Sequence, residues 1–171
     1  MITQRAVTVL LEDRLITFNR AVGLIRRRTL PVRSMAVGPT VTPGLSRLTI
    51  MLHSDEATAD RAVQFLQKVV GVRDAVAFPA RDGVTRELAL VKVRPASDRY
   101  GELLDVVQLY HASVVDDNPE ATIVELTGSE AFVLSCIRAL ERFDILEVAR
   151  SGAVALETGV TEAGARVPAT I

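Results

Sequence analysis

The sequence predicts an α+β protein built from two βαββαβ modules in tandem. Strand-like and helix-like segments follow one another in the same order in both halves, with a period of roughly 80 residues. The 171 residues are 49% hydrophobic and 24% charged, which is typical of a folded chain with enough apolar side chains for packed cores. A chain of this length can hold two small domains. We therefore expect two modules, each with its own core.

The first half of the chain shows four strands and two helices. Alternating apolar residues at Leu48, Ile50 and Leu52 indicate a strand with one buried face. Ala21 and Ile25 stand at helical spacing and indicate an amphipathic helix. The predicted elements are a strand at 7–11, a helix at 17–28, strands at 31–37 and 45–52 joined across the Gly- and Pro-rich segment 38–44, a helix from Ser54 or Asp55 to Val69, and a strand at 70–78.

The second half repeats this order. Ser129 is a predicted helix cap, and Cys136 falls on the apolar face of the helix that follows, where it is expected to be a small core residue. The residues Asp116, Asp117, Asn118 and Pro119 are typical of a turn, which we prefer to a cation site. The predicted elements are a strand at 88–93, a helix at 98–110, strands at 112–115 and 121–126, a helix from Ser129 to Leu140, and a strand at 145–149.

These patterns divide the chain into four segments. The first module covers residues 1–79, and residues 80–85 form a predicted linker that follows Pro79 and contains Gly83. The second module covers residues 86–158. Residues 159–171 lack hydrophobic periodicity, so they are expected to form a flexible tail.

Composition argues against several classes of protein. The net charge of −1 predicts no strong attraction to nucleic acid or to anionic lipid. No apolar run reaches the roughly 18 residues that a membrane span requires, and the first residues do not resemble a secretory signal. The single cysteine agrees with a reducing compartment. We therefore expect a cytoplasmic protein without nucleic-acid or membrane partners.

No motif for catalysis is visible. The sequence lacks a nucleophile elbow, a P-loop, a dinucleotide-binding glycine turn and a thiamine-diphosphate signature. His53 and His111 are far apart and belong to no ligand-spaced cluster. The sequence therefore predicts a chain with no catalytic residues, no metal and no cofactor.

The predicted modules are expected to associate. A βαββαβ sheet carries both helices on one face and leaves edge strands unpaired. Pairing of an edge with a second copy across a two-fold axis would bury both edges. Arg26, Arg27 and Arg28 could also contact a phosphate or an acidic partner, although three arginines at a helix end suit the negative end of the helix dipole, and we prefer that explanation.

Six groups of residues between about Ala6 and Glu157 are distinctive when taken together in their order and spacing. They are Val9-Leu10-Leu11-Glu12 with Arg20 and Gly23-Leu24, Ser34-Met35-Ala36-Val37-Gly38, Gly44-Leu45-Ser46-Arg47-Leu48-Thr49-Ile50, Arg86-Glu87-Leu88-Ala89-Leu90-Val91-Lys92-Val93, Val114-Val115-Asp116 and Glu147-Val148-Ala149-Arg150-Ser151-Gly152. These strings resemble the small-subunit family of acetolactate synthase. The resemblance implies an N-terminal ACT domain, a C-terminal ferredoxin-like domain and no catalysis by the chain itself.

The resemblance further implies a regulatory subunit. Such a chain binds and activates the catalytic large subunit in branched-chain amino acid biosynthesis and forms a homodimer through its ACT domains. A branched-chain amino acid, usually valine, binds at that dimer interface. By resemblance the effector-binding residues are Asp13, Leu15, Ile16, Thr17, Phe18, Pro31 and Val32.

Three of these positions depart from the family. Asp13 stands where the family has Asn, Ile16 where it has Gly, and Pro31 where it has an Asn whose amide is unavailable from proline. Feedback by valine is therefore predicted to be weakened or lost. The altered loop also leaves open a free-standing ACT-type amino-acid sensor or interaction module that regulates another protein, while an enzyme with an unrecognised site is the least favoured interpretation.

Overall fold

The predicted pair of βαββαβ modules is confirmed. The computed structural model describes residues 1–118 and 120–159, in which two antiparallel sheets each carry a pair of α-helices. The elements are β1 (Thr3–Glu12), α1 (Leu15–Arg27), β2 (Val32–Pro39), β3 (Leu45–Ser54), α2 (Glu56–Leu66), β4 (Val72–Pro79), β5 (Gly83–Val93), α3 (Tyr100–Leu109), β6 (Ser113–Asn118), β7 (Ala121–Gly128), α4 (Glu130–Leu140), β8 (Ile145–Arg150) and β9 (Val154–Glu157), with short 3-10 turns at Ala80–Asp82, Ser97–Arg99 and Glu141–Phe143.

The first sheet has the strand order β2-β3-β1-β4, so β2 and β4 are its edges. β1 pairs with β3 along its whole length, from Thr3 opposite Ser54 to Glu12 opposite Leu45. Of the two predicted caps, Ser54 and Asp55, it is Asp55 that caps α2, because its Oδ1 accepts a hydrogen bond from Thr58 N at 2.8 Å. The buried core combines alternate residues of the strands with the inner faces of both helices: Val7, Val9, Leu11, Ala21, Ile25, Leu48, Ile50, Leu52, Ala59, Ala62, Leu66 and Ala75.

The second sheet repeats this arrangement with the order β6-β7-β5-β8. The predicted cap is confirmed, because Ser129 Oγ accepts from Phe132 N at 3.3 Å. Cys136 lies in the core, as expected, and burial raises the pKa of its thiol to about 11. The buried residues are Ala89, Val91, Val93, Leu103, Val106, Val107, Val124, Leu126, Val133, Cys136, Leu140 and Phe143.

The chain divides into two compact units. One unit consists of Met1–Val84 together with the segment that begins at Val154, and the other is Thr85–Ala153. β9 pairs with β5, whose first two residues belong to the same unit as β9. Thr158 N donates to the carbonyl of Asp82 at 3.0 Å and so holds the end of β9 in place. β5 begins at Gly83, inside the segment expected to be a linker.

One predicted turn is displaced. Residues Asp116 to Asn118 continue β6, where they pair with Ile123, Thr122 and Ala121 of β7. Asp117 is held there because its carboxylate accepts from Tyr100 Oη at 2.8 Å. Of the four residues expected in the turn, Pro119 lies outside the described residues, and a turn is seen at Glu120, the residue that follows. The local turn preference of Asp is outweighed here by strand pairing and a side-chain contact.

Two further expectations concern the C-terminal residues and membrane-spanning helices. The flexible tail expected at residues 159–171 lies, apart from Gly159, outside the described residues. Among the helices that the structure describes, none combines the length and the apolar character needed to cross a membrane. In the same residues, no three His, Cys, Asp or Glu side chains gather as a metal site would require.

Candidate effector site

The connection between β1 and α1 is fixed at Asp13. Asp13 N donates to the carbonyl of Gly44 at 2.8 Å, which ties the connection to the β2–β3 hairpin. The Asp13 carboxylate accepts from Ser46 Oγ through Oδ1, also at 2.8 Å. Carboxylate oxygens can each accept more than one hydrogen bond, so Asp13 retains capacity for a ligand ammonium group. Ser46 orients this carboxylate and was not among the predicted site residues.

The first turn of α1 offers unused backbone donors. Arg14 occupies the N-cap position without a side-chain cap hydrogen bond. The Arg14 carbonyl accepts from Thr17 N at 3.0 Å and from Phe18 N at 3.2 Å. The N–H groups of Leu15 and Ile16 precede those donors, and they have no backbone acceptor in the described part of the chain. A carboxylate at this helix end would be stabilised by both N–H groups and by the helix dipole.

The side chains of this turn divide into exposed and buried sets. Leu15 and Ile16 are 75% and 54% exposed. Thr17, in contrast, is 1% exposed, and Phe18 packs against the core. Asp13, Leu15 and Ile16 therefore face solvent together, whereas Thr17 and Phe18 support the turn from inside.

Thr17 is held against a backbone turn that only glycine fits easily. Gly71, directly before β4, has a φ of +94°, and an added Cβ there would lie 2.6 Å from Thr17 Oγ1. Gly71 O also accepts from Glu12 N at 2.8 Å. The end of β1 and the start of α1 are thus packed on the turn before β4. Positive φ at Gly71 was not predicted, although a glycine just before a strand was a visible signal.

Pro31 and Val32 lie at the opposite end of the first sheet. The Pro31 carbonyl accepts from His53 N at 3.0 Å, and Val32 pairs with Leu52. Ser46, which holds Asp13, is six residues away from Leu52 along β3, a separation of about 20 Å in an extended strand. Pro31 is exposed and Val32 is half-buried against the core. Within one chain, therefore, the predicted site residues form two separate groups.

The Asp13 group has chemistry that suits part of an amino acid. The carboxylate of Asp13 is a counterpart for an ammonium group, and the N–H groups of Leu15 and Ile16 are counterparts for a carboxylate. Two features oppose close binding. The negative charge of Asp13 repels a ligand carboxylate at short range, and the branched side chain of Ile16 stands on the same turn.

Comparison with known proteins relates about nine-tenths of the chain to one family. The family model described as the small subunit of acetolactate synthase matches residues 86–159. The acetolactate synthase small subunit of Mycobacterium bovis is 34% identical over 153 residues, which cover 90% of this chain and 91% of that protein. The probable acetolactate synthase small subunit of Archaeoglobus fulgidus is 31% identical, covering 91% of this chain and 98% of that one.

A solved structure leads to the same result. The crystal structure of the acetolactate synthase small subunit from Thermotoga maritima superposes with a TM-score of 0.86 at 30% sequence identity. The superposition covers 94% of this chain and 100% of that chain, so both units are included. The resemblance noted in the sequence strings is thereby confirmed over nearly the full length. The chain belongs to the family of acetolactate synthase small subunits, which are regulatory and non-catalytic.

Proposed function

We propose that this chain binds the catalytic large subunit of acetolactate synthase and activates it in the cytoplasm, as part of branched-chain amino acid biosynthesis. The observation that carries the proposal is the match to small subunits over about nine-tenths of both chains. The two units have separate packed cores. Activation then results from differential binding, because a subunit that binds the productive state of its partner more tightly raises the population of that state.

The edge strand β2 supports a homodimer through the first units. β2 pairs only with β3 among the described strands, so its outer backbone groups are available to a second strand. Met35 and Val37 lie on the face that carries the helices and are 38% and 52% exposed. Pairing of β2 with the same strand of a second copy across a two-fold axis would join two four-stranded sheets and cover these side chains.

Such a dimer would also assemble the divided effector site. Antiparallel pairing of β2 with its copy sets the first residue of one strand opposite the last residue of the other. Val32 of the partner subunit then lies opposite Pro39, which pairs with Ser46. Two strand spacings separate the partner's Val32 from Ser46, or about 10 Å. The Asp13 group of one protomer would thus face the Pro31 and Val32 group of the other.

We propose that this assembled site binds valine weakly, so feedback is weakened or lost while activation persists. Asp13 places a negative charge beside the helix amides that would hold the ligand carboxylate. Ile16 occupies space that a glycine would leave open, and Pro31 has neither an amide side chain nor an N–H donor. An effector acts only through its different affinities for two states, typically worth about 1–3 kcal/mol. A weak site stays mostly empty at ordinary valine concentrations, so valine cannot shift the population of the two states.

The proposal is tested by titrating the full chain into its cognate large subunit and measuring acetolactate formation. We expect the activity to rise and to saturate with added chain. Valine, leucine and isoleucine, added one at a time, are expected to change the activated rate by less than about twofold. An unchanged rate at saturating chain would contradict activation, whereas inhibition by ordinary valine concentrations would contradict only the loss of feedback.

A second candidate function follows from the altered loop. Asp13, Ile16 and Pro31 differ from the family at the positions where an effector is expected, which favours a free-standing ACT-type sensor or interaction module that regulates another protein. Co-purification from native extract distinguishes the two. Recovery of a thiamine-diphosphate-dependent large subunit supports the first function, and recovery of a different partner in its place supports the second.

A further inference from the structure

Basic residues are distributed very unevenly along this chain. Residues 14–54 contain seven of the 20 basic residues and none of the 21 acidic ones. The remaining residues hold 13 basic side chains against 21 acidic ones. The net charge of −1 is therefore the sum of a positive segment, residues 14–54, and an acidic remainder of the chain. A local field of this kind guides association even when the whole protein is nearly neutral.

The structure concentrates this charge on α1. Arg20, Arg26 and Arg27 belong to the helix and Arg14 is its N-cap residue, and all four are exposed. Arg20 and Arg27 are seven residues apart, so they lie on the same side of the helix about 10 Å from each other. α1 contains no acidic residue. We call these four arginines the α1 basic surface.

Several arginines elsewhere in the chain form ion pairs with acidic side chains. Arg73 pairs with Glu12 at 2.7 Å, and Arg99 pairs with Glu102 at 3.0 Å. In the α1 basic surface, no guanidinium group forms an ion pair or a hydrogen bond with any of residues 1–118 or 120–159. The four arginines therefore have no acidic counterpart in the described part of the chain, and α1 presents net positive charge to solvent.

The helix dipole explains the positions of only two of these four arginines. Arg26 and Arg27 stand in the last turn, where positive charge is favourable. Arg14 stands at the N-terminal end, where positive charge is unfavourable, and Arg20 stands in the middle of the helix. A stabilising role in the free chain therefore does not explain the set.

We propose that the α1 basic surface docks on an acidic surface of the catalytic large subunit, an inference that rests on the proposed function. Arginine is enriched in protein interfaces, and guanidinium groups bind carboxylates in bidentate fashion. The acidic excess elsewhere in the chain would repel a long polyanion such as nucleic acid. The partner that fits is a protein surface rich in Asp and Glu.

The test uses charge reversal in the full chain. The double variant Arg20→Glu/Arg27→Glu is compared with the matched double variant Lys68→Glu/Arg138→Glu, which reverses two exposed charges outside α1. Affinity for the purified large subunit is measured by surface plasmon resonance at about 0.05 M and about 0.5 M salt. Melting temperature and circular dichroism confirm that each variant is folded. Arg20→Gln/Arg27→Gln serves as a milder second variant.

The expected result is a loss of affinity of about tenfold or more for Arg20→Glu/Arg27→Glu at low salt, mostly in the association rate, with a smaller loss at high salt. The matched variant should bind within about twofold of the wild type. Equal affinity of both double variants would overturn the docking surface and leave the proposed function intact. Absence of any binding by the wild-type chain would refute the proposed function itself. Tight binding of duplex DNA that depends on Arg20 and Arg27 would replace the protein partner with a nucleic acid.

Discussion

Arg150 on β8 donates from its Nε–H to the carboxylate of Glu87 on β5, with 3.1 Å between Nε and Oε1. The Glu87 side chain is 3% exposed, whereas that of Arg150 is 32% exposed. Beside this pair, Ser151 Oγ accepts from Leu88 N at 3.0 Å. These residues come from two of the strings that carry the family resemblance, residues 86–93 and 147–152. The two strings therefore correspond to one structural feature, the junction of β5 with the end of β8.

The two halves of this ion pair should respond differently to substitution. Arg150→Leu leaves the buried Glu87 carboxylate without its partner and is expected to lower the free energy of unfolding by about 2–4 kcal/mol. Glu87→Leu leaves a guanidinium group that is partly open to water, so its cost should be smaller. Urea unfolding of the two variants measures the difference, with Arg86→Leu as the exposed control. A larger loss for Glu87→Leu would contradict this account.

Gly71 should tolerate no side chain. Gly71→Ala combines a φ of +94° with a Cβ only 2.6 Å from Thr17 Oγ1, so we expect a loss of about 3 kcal/mol or more. Gly44→Ala is the matched control, because its φ is +80° but no atom lies within 4 Å of the added Cβ, and about 1 kcal/mol is expected. Thr17→Ala in the Gly71→Ala background should recover part of the loss. Equal costs at Gly71 and Gly44 would show that the contact with Thr17 is unimportant.

Valine binding should be restorable. Asp13→Asn/Ile16→Gly removes the negative charge and the branched side chain, while the side-chain amide carbonyl introduced by the first substitution could still accept from Ser46. We expect the affinity for valine to increase about tenfold or more in calorimetry. Leu109→Gly introduces a glycine at an exposed position of α3, outside the site, and should leave the affinity within about twofold of the wild type. If the double variant and the wild type bind valine equally well, the proposed cause of weak feedback is wrong.

The β2 edge should control the oligomeric state. Val37→Glu places a charge on the exposed side of this edge strand, and repulsion across a two-fold axis is expected to shift the protein from dimer to monomer in sedimentation velocity. Val70→Glu is the matched control, because Val70 is also exposed but lies outside β2. A dimer that persists in Val37→Glu at low micromolar concentration would exclude pairing through β2.

Cys136 should make stability sensitive to alkaline pH. Burial raises the pKa of its thiol from 9.0 to about 11 in the folded chain. The folded pKa lies above the unfolded value, so the contribution is fully present below pH 9 and is lost as the pH rises through about 11. The urea midpoint should therefore fall between these pH values more steeply for the wild type than for Cys136→Ala. Parallel pH profiles for the two proteins would argue against a buried neutral thiol.

Much of the fold follows from local pattern. The alternation of Leu48, Ile50 and Leu52 and the helical spacing of Ala21 and Ile25 specify element types, because side-chain periodicity differs between strands and helices. Asp116 and Asp117 show where this reasoning fails. Both were expected in a turn, but pairing with β7 keeps them in β6. Strand ends depend on partners that are remote in sequence, so local preference does not determine them.

The candidate site was only partly accessible to sequence reasoning. Resemblance identified Asp13 and Ile16, and both lie exposed at the start of α1. Resemblance also included Thr17, which the structure buries against Gly71. Ser46 was missed as a site residue, because its contact with Asp13 spans 33 residues of sequence and depends on how the β2–β3 hairpin folds back.

The sequence by itself determined the order of strands and helices, the repetition of the module and the family of the chain, because hydrophobic period and short residue strings are local properties. Only the tertiary structure decided that Asp13 and Val32 stand at opposite ends of one sheet, that Thr17 supports the site from inside, and that four arginines project from α1 without a partner in the described part of the chain. Antiparallel pairing is the physical reason, because it sets residues side by side according to register and not according to their distance along the chain.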